Sequence, residues 1–230
     1  MTVRLMEKII YVLFVVLSVS ACKKDESTPV NLGYHYFPTS EGLFVVYDVT
    51  SIIHDDVVAV HDTNVYQIKT RIGETEIDLE GDKFQKLYRF KRDDESANWI
   101  MKDVWTMKLT GMTAEVVEEN KRILKMGFGI SYDKEWDCNA LNYLELEECY
   151  YAKIAEPFKV DNNVIVDSTA IVEHLNFLTF IDYTRYYEVY AANIGLIYSY
   201  KKDFTITNSD TLNPIKGIEQ FYSMTDFGIE

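Results

Sequence analysis

A chain of 230 residues with 37 acidic against 23 basic side chains carries a net charge of −14, a sign that repels phosphate backbones and anionic lipid headgroups. Binding to nucleic acid and electrostatic docking on a membrane are therefore set aside. Hydrophobic residues at 47% and aromatic ones at 14% suffice for a packed core and are unlike a disordered chain.

The first element is a short basic head, Arg4 and Lys8, followed by an apolar run from Ile9 to Val19. The run is too brief to span a bilayer and reads as an export signal. Val19, Ser20 and Ala21 stand just ahead of Cys22, and this set resembles a bacterial lipobox. The resemblance implies a diacylglycerol on the Cys22 sulfur and a further acyl chain, such as palmitate, on its freed amine. Acyl methylenes contribute about 0.8 kcal/mol each, so several chains make a stable anchor where one is marginal. An ordinary secretory signal with an incidental cysteine is the alternative. Lys23, Lys24, Asp25 and Glu26 resemble the signal that sends lipoproteins of the Bacteroidota to the outer face of the outer membrane, and they also suit a solvated tether. The expected organisation is a signal peptide over 1–21, a lipid-anchored flexible leash over 22–33 and a single β domain over 34–230. The expected location is the outer membrane, lipid-anchored, on its periplasmic or cell-surface side.

Gly33 and Pro38 mark the exit from the leash, with Tyr34, Tyr36 and Phe37 expected to pin it to the body. Leu43, Val45, Tyr47, Val49 and Ile53 then alternate with Asp48 and Thr50, the period of a half-buried strand. Tyr66, Ile68, Thr70 and Ile72 repeat the pattern, and Glu80, Gly81 and Asp82 make a turn. Phe84, Tyr88 and Phe90 follow, and Trp99, Met101, Trp105, Met107 and Leu109 are assigned to one face, interrupted by Asp103. Residues 114–119 and 122–128 read as two strands about Asn120 and Lys121. Residues 127–148 break the alternation and read as a long connection, with a helical turn around Leu141 to Glu147 and Trp136 as its buried peg.

Strand character returns with Tyr150, Ala152, Ile154 and Phe158, where Pro157 predicts an edge or a bulge. Asp161 to Asn163 turn the chain into a strand through Val164 to Val172, and His174 to Thr184 reads as another connection. Residues 186–200 form two runs meeting at Ala192 to Gly195, 205–215 a polar loop, and Gly217 to Phe227 a closing strand. Roughly nine or ten such strands would curl or split, so the fold class is all-β: an antiparallel meander forming a partly closed barrel or a two-layer sandwich. The stretch FPTSEGLFVVYDVTSI near the start and EVYAANIGLIYSY near the end resemble uncharacterised lipoproteins of the Bacteroidota; the shared motifs are structural and bring no catalytic residues.

Cys138 and Cys149 are the remaining cysteines, in a chain whose export permits oxidation. A disulfide between them would contribute about 2–3 kcal/mol; two separate buried thiols are the other reading. His54, Asp55, Asp56, His61 and Asp62 hold imidazole and carboxylate groups suited to zinc or another divalent ion. A polar hairpin loop accounts for the same residues, so no metal is assigned, and His54, Asp56 and His61 stand as the candidates should one bind. Nucleophile elbow, metalloprotease and phosphate-loop motifs are missing from the sequence, so no catalytic residue, cofactor or enzymatic activity is expected. The functional expectation is a non-catalytic envelope protein acting by binding or assembly, with another envelope protein, a glycan or an apolar ligand as partner. A carrier or sensor of an apolar ligand would need a continuous apolar cavity inside the curled sheet. A surface hydrolase would need polar groups of opposed protonation state converging in one cleft.

Overall fold

Alternation of apolar and polar side chains over most of the chain dictates strands, and the computed structural model contains twelve of them among the described residues. It describes residues 31–56, 58–161 and 163–230, so the expected signal peptide, Cys22 and the leash up to residue 30 lie outside the described residues. The strands are β1 (Leu43–Asp55), β2 (Val60–Ile77), β3 (Lys83–Arg92), β4 (Ile100–Leu109), β5 (Thr113–Glu118), β6 (Lys121–Gly127), β7 (Glu135–Asp137), β8 (Glu148–Lys159), β9 (Ile165–Leu178), β10 (Asp182–Ala191), β11 (Gly195–Thr205) and β12 (Lys216–Ile229). Each pairs antiparallel with its sequence neighbour from β1 to β6 and again from β7 to β12, and β12 pairs with β1 along thirteen residues from Leu43↔Ile229 to Asp55↔Lys216.

The result is one nearly closed barrel-like sheet rather than a sandwich. Its seam lies between β6 and β7, where the Leu124 N–H donates to the Cys138 carbonyl at 2.9 Å and the Trp136 indole N–H donates to the Leu124 carbonyl at 3.0 Å. Trp136 is therefore a half-buried clasp, its ring 5.0 Å from that of Tyr151, and not a fully buried peg. The segment before β1 covers one mouth of the barrel. Tyr36 and Phe37 are buried there, the Tyr34 hydroxyl donates to the Gly111 carbonyl at 2.9 Å, and the Asn193 N–H donates to the His35 carbonyl at 2.7 Å.

The β8–β9 hairpin is bent by three register shifts, one at Pro157, and its tip folds over the outside of β10–β12. Phe158 and Val160 cover Tyr198 and Val189, and the Asp161 N–H reaches Ser223 Oγ at 3.3 Å. Elsewhere the outer face carries the ion pairs Lys86–Glu76, Lys69–Glu230 and Lys202–Glu219. Among the described residues no helix is long and apolar enough to cross a membrane.

Several expectations need correction. The residues around Leu141 to Glu147 form successive turns without a helix, because the loop's polar groups are met locally, Asn139 Nδ2 donating to the Glu145 carbonyl and Asn142 Nδ2 to the Arg122 carbonyl. His174 to Leu178 belong to β9, and the connection to β10 shrinks to three residues. Met101 is exposed and does not share a face with Trp105. The extra residue Lys102, which sits in a bulge between the pairs Arg89↔Asp103 and Phe90↔Met101, reverses the alternation. Ile53 is exposed because the β1–β2 hairpin runs on past the packed body.

The β11–β12 pairing is tight at Gly217, which has φ +144° and pairs with Phe204 of β11 on one side and His54 of β1 on the other. A Cβ there would stand 2.0 Å from the Asp203 carbonyl oxygen. Gly217→Ala is expected to lower stability by about 2–3 kcal/mol, read as an earlier midpoint in urea denaturation with the slope unchanged.

Candidate functional site

The residues of β1–β4 that line the cavity are apolar apart from Thr70 and Arg89, whereas β5, β6, β9 and β10 send charged groups inward. Two of these charges are placed by β-bulges. Lys125 is the extra residue between the pairs Glu115↔Leu124 and Ala114↔Met126, and His174 is the extra residue between Tyr187↔Glu173 and Tyr186↔Leu175. A bulge leaves its residue outside the ladder and turns the side chain. Lys125 and His174 thereby reach the interior and are only 6% and 4% exposed.

They meet at Glu188 of β10, which is 3% exposed. Its Oε1 accepts from Lys125 Nζ at 2.9 Å and from the Tyr186 hydroxyl at 2.7 Å. Its Oε2 accepts from the Tyr190 hydroxyl at 2.6 Å and from His174 Nε2 at 3.3 Å. Lys125 also pairs with Glu118 at 2.7 Å, and His174 Nδ1 with Glu147 at 3.0 Å, while the imidazole stacks on the Tyr186 ring with centroids 4.1 Å apart. Burial alone would drive the Glu188 carboxyl up, but the Lys125 charge and the His174 hydrogen bond hold it well below the usual carboxylate range. Burial likewise opposes charge on Lys125, and the Glu118 and Glu188 carboxylates override it, raising the ammonium well above its ordinary value. Burial pulls His174 down, and hydrogen bonds to Glu147 and Glu188 bring it above its ordinary value. Polar groups of opposed charge thus converge, as a hydrolase requires. Glu188, however, accepts four hydrogen bonds and both ring nitrogens of His174 face carboxylates, so the arrangement holds charge in place and leaves neither group free as a base.

Beside this network lies a cavity of about 450 Å³, within the range of small-molecule pockets, roughly 300–1,000 Å³. Leu43, Val45, Ile68, Ile72, Leu87 and Met107 form its apolar wall. Within that wall the Arg89 guanidinium lies 3.6 Å from the centre of the Trp105 ring and pairs with Asp103 at 3.0 Å. The buried indole N–H of Trp105 has no acceptor among the described residues. Asn139, Leu144 and Glu147 bring the 138–147 loop into the opposite wall.

Cys138 and Cys149 are joined by a disulfide with Cα atoms 6.0 Å apart, and both are buried directly behind His174. His54 and His61 face each other across β1 and β2, with Nδ1 atoms 3.3 Å apart, and His61 Nε2 lies 3.1 Å from the Asp56 carboxylate. The three candidates are therefore neighbours. His61 meets them through opposite ring nitrogens, and one ion cannot sit on both sides of a ring. The interior group was not singled out from the sequence. Its visible trace is a charged residue flanked on both sides by apolar ones, as in Leu124-Lys125-Met126 and Tyr187-Glu188-Val189.

Comparison with known proteins adds little. Neither a family model nor a curated protein matches the sequence. Among solved structures the chain is similar to a protein of Bacteroides fragilis NCTC 9343 described as exported and of YmcC-like fold, with TM-score 0.45, 10% identity, and 84% of this chain and 98% of that chain covered. It is also similar to a protein of Parabacteroides distasonis ATCC 8503 described as a lipoprotein, with TM-score 0.40, 10% identity and the same coverage of 84% and 98%. Likenesses this loose carry no argument about function.

Lys125→Met would leave Glu118 without its counter-charge and Glu188 with His174 alone, and is expected to cost about 3–5 kcal/mol. Adding Glu188→Gln to Lys125→Met should recover part of the loss. A double-mutant cycle from urea denaturation measures the coupling, and simple additivity would mean the two groups do not interact.

Proposed function

We propose that the chain is a non-catalytic, lipid-anchored envelope protein whose barrel binds a small amphipathic molecule, an apolar body carrying a hydrogen-bond acceptor. The observation that carries the reading is the cavity of about 450 Å³ with an apolar wall that includes the Trp105 side chain. The apolar body would cover Leu43, Ile72 and Met107, and the acceptor would be met by Lys121 or Lys201, which also line the cavity. This takes up the carrier or sensor expected as an alternative from the sequence and gives the binding role a place. The anchor rests on the Val19-Ser20-Ala21-Cys22 resemblance, and the outer membrane is the location that Lys23 to Glu26 favour.

A fluorescent polyene fatty acid is the probe for the cavity. It is expected to bind saturably, one per chain, with energy transfer from tryptophan. Val116→Trp, which fills the cavity from β5, should weaken binding at least about tenfold, equivalent to 1.4 kcal/mol, while the sheet signal in circular dichroism stays unchanged. Absence of saturable binding, or undiminished binding to the filled variant, refutes the reading. The anchor is tested separately: Cys22→Ser should move the protein from the membrane to the soluble fraction of cells, and continued membrane retention speaks against acylation.

A further inference from the structure

The Cys138–Cys149 disulfide is packed against an imidazole and a carboxylate whose presence the bond itself does not require. His174 Nδ1 stands 3.4 Å from Cys149 Sγ, 3.7 Å from Cys138 Sγ and 3.0 Å from Glu147 Oε1. The donor atoms of these four residues all lie within 4.8 Å of one another. Two sulfurs, one imidazole nitrogen and one carboxylate oxygen form a four-coordinate donor set suited to zinc and similar borderline-soft cations. The other ring nitrogen of His174 is held by the Glu188 carboxylate at 3.3 Å, the outer contact that orients a histidine ligand toward its metal. Both cysteines are buried, and Glu147 and His174 also line the cavity, which gives an ion a way in.

We propose that, once the Cys138–Cys149 bond is reduced, Cys138, Cys149, His174 and Glu147 bind one zinc-class divalent cation. A dithiol reductant supplies two electrons and two protons to the sulfurs and closes its own disulfide. The cation then displaces both thiol protons and the proton on His174 Nδ1 to solvent and forms two bonds to sulfur, one to nitrogen and one to oxygen. Two thiolates bound to zinc at about 2.3 Å stand about 3.8 Å apart. A Cα separation of 6.0 Å permits that spread through side-chain rotation alone, just as it permits the disulfide. The site thus has two exclusive states, oxidised and metal-free or reduced and metal-bound. It does not depend on the ligand reading above, since its readout needs no occupant in the cavity.

Cobalt(II) is the probe, added to the full-length chain in detergent carrying Cys22→Ser, so that two thiols remain. After anaerobic reduction with a phosphine the chain is expected to bind one cobalt, giving the thiolate-to-cobalt charge-transfer band and the intense visible bands of a tetrahedral site. Zinc should abolish these bands by displacing the cobalt, and the oxidised chain should show none. His174→Ala should weaken cobalt binding at least about tenfold, and Glu147→Gln should shift the visible bands. A reduced, folded chain with two titratable thiols and no such bands overturns the proposal, as do bands undiminished in His174→Ala and unshifted in Glu147→Gln. If reduction unfolds the sheet, cobalt that restores both sheet and bands supports the site, and cobalt that restores neither overturns it.

Discussion

The charge on Lys125 sets the terms for the interior. An ammonium removed from water needs close counter-charges, and the Lys125 side chain is met by Glu118 and Glu188. Glu188 in turn needs donors on both oxygens and takes them from Tyr186, Tyr190 and His174. His174 then requires Glu147. One buried cation on β6 therefore fixes residues on β5, β9, β10 and the loop before β8. Strands β6 and β10 are not neighbours in the sheet, so the network braces the barrel across its hollow, on the side where the β6–β7 seam lacks a continuous ladder.

The backbone solves a complementary problem. Among the described residues every strand pairing but one joins strands that follow each other in sequence, and such local contacts form at low entropic cost. The exception is β1 with β12, which joins the two ends of the domain along thirteen residues. It turns two separate meanders into a wall with an inside. Cavity and charge network exist only after that pairing is made, which places the long-range register of β1 and β12 upstream of everything the interior does.

This division explains what could be read from the residues. Leu43, Val45 and Tyr47 of β1 and Ile68, Thr70 and Ile72 of β2 fall at every second position and all line the cavity, so the strands and their inward faces follow from that period. The antiparallel meander and the irregularity at Pro157 were legible for the same reason, whereas the choice between barrel and sandwich was not, because it depends on the long-range pairing of β1 with β12. The site was not. Lys102, Lys125 and His174 each sit at a bulge, and an inserted residue makes buried side chains consecutive, as in Leu124 to Met126 and Val172 to His174. A period-two reading sees such a stretch as irregular: it assigns His174 to Thr184 to a connection, and reads 122–128 as a strand without assigning Lys125 to the inner face. The His54, Asp56 and His61 cluster was visible because it lies in a regular hairpin, where register predicts proximity directly.

Stability alone does not account for the interior. A buried ion pair exchanged for apolar residues of equal volume often leaves a protein as stable or more so, and the surrounding wall of Leu43, Ile68, Ile72 and Met107 shows that this barrel fills space with such residues where nothing else is required. The linked charges of Lys125, Glu188, His174 and Glu147 occur instead where the cavity meets the 138–147 loop. Glu147 belongs to three structures at once: it lines the cavity, bonds His174 and stands beside the two sulfurs. Any change at the cysteines must therefore act on a residue that also lines the cavity, and the loop that the disulfide closes is the part of the wall through which the two are joined.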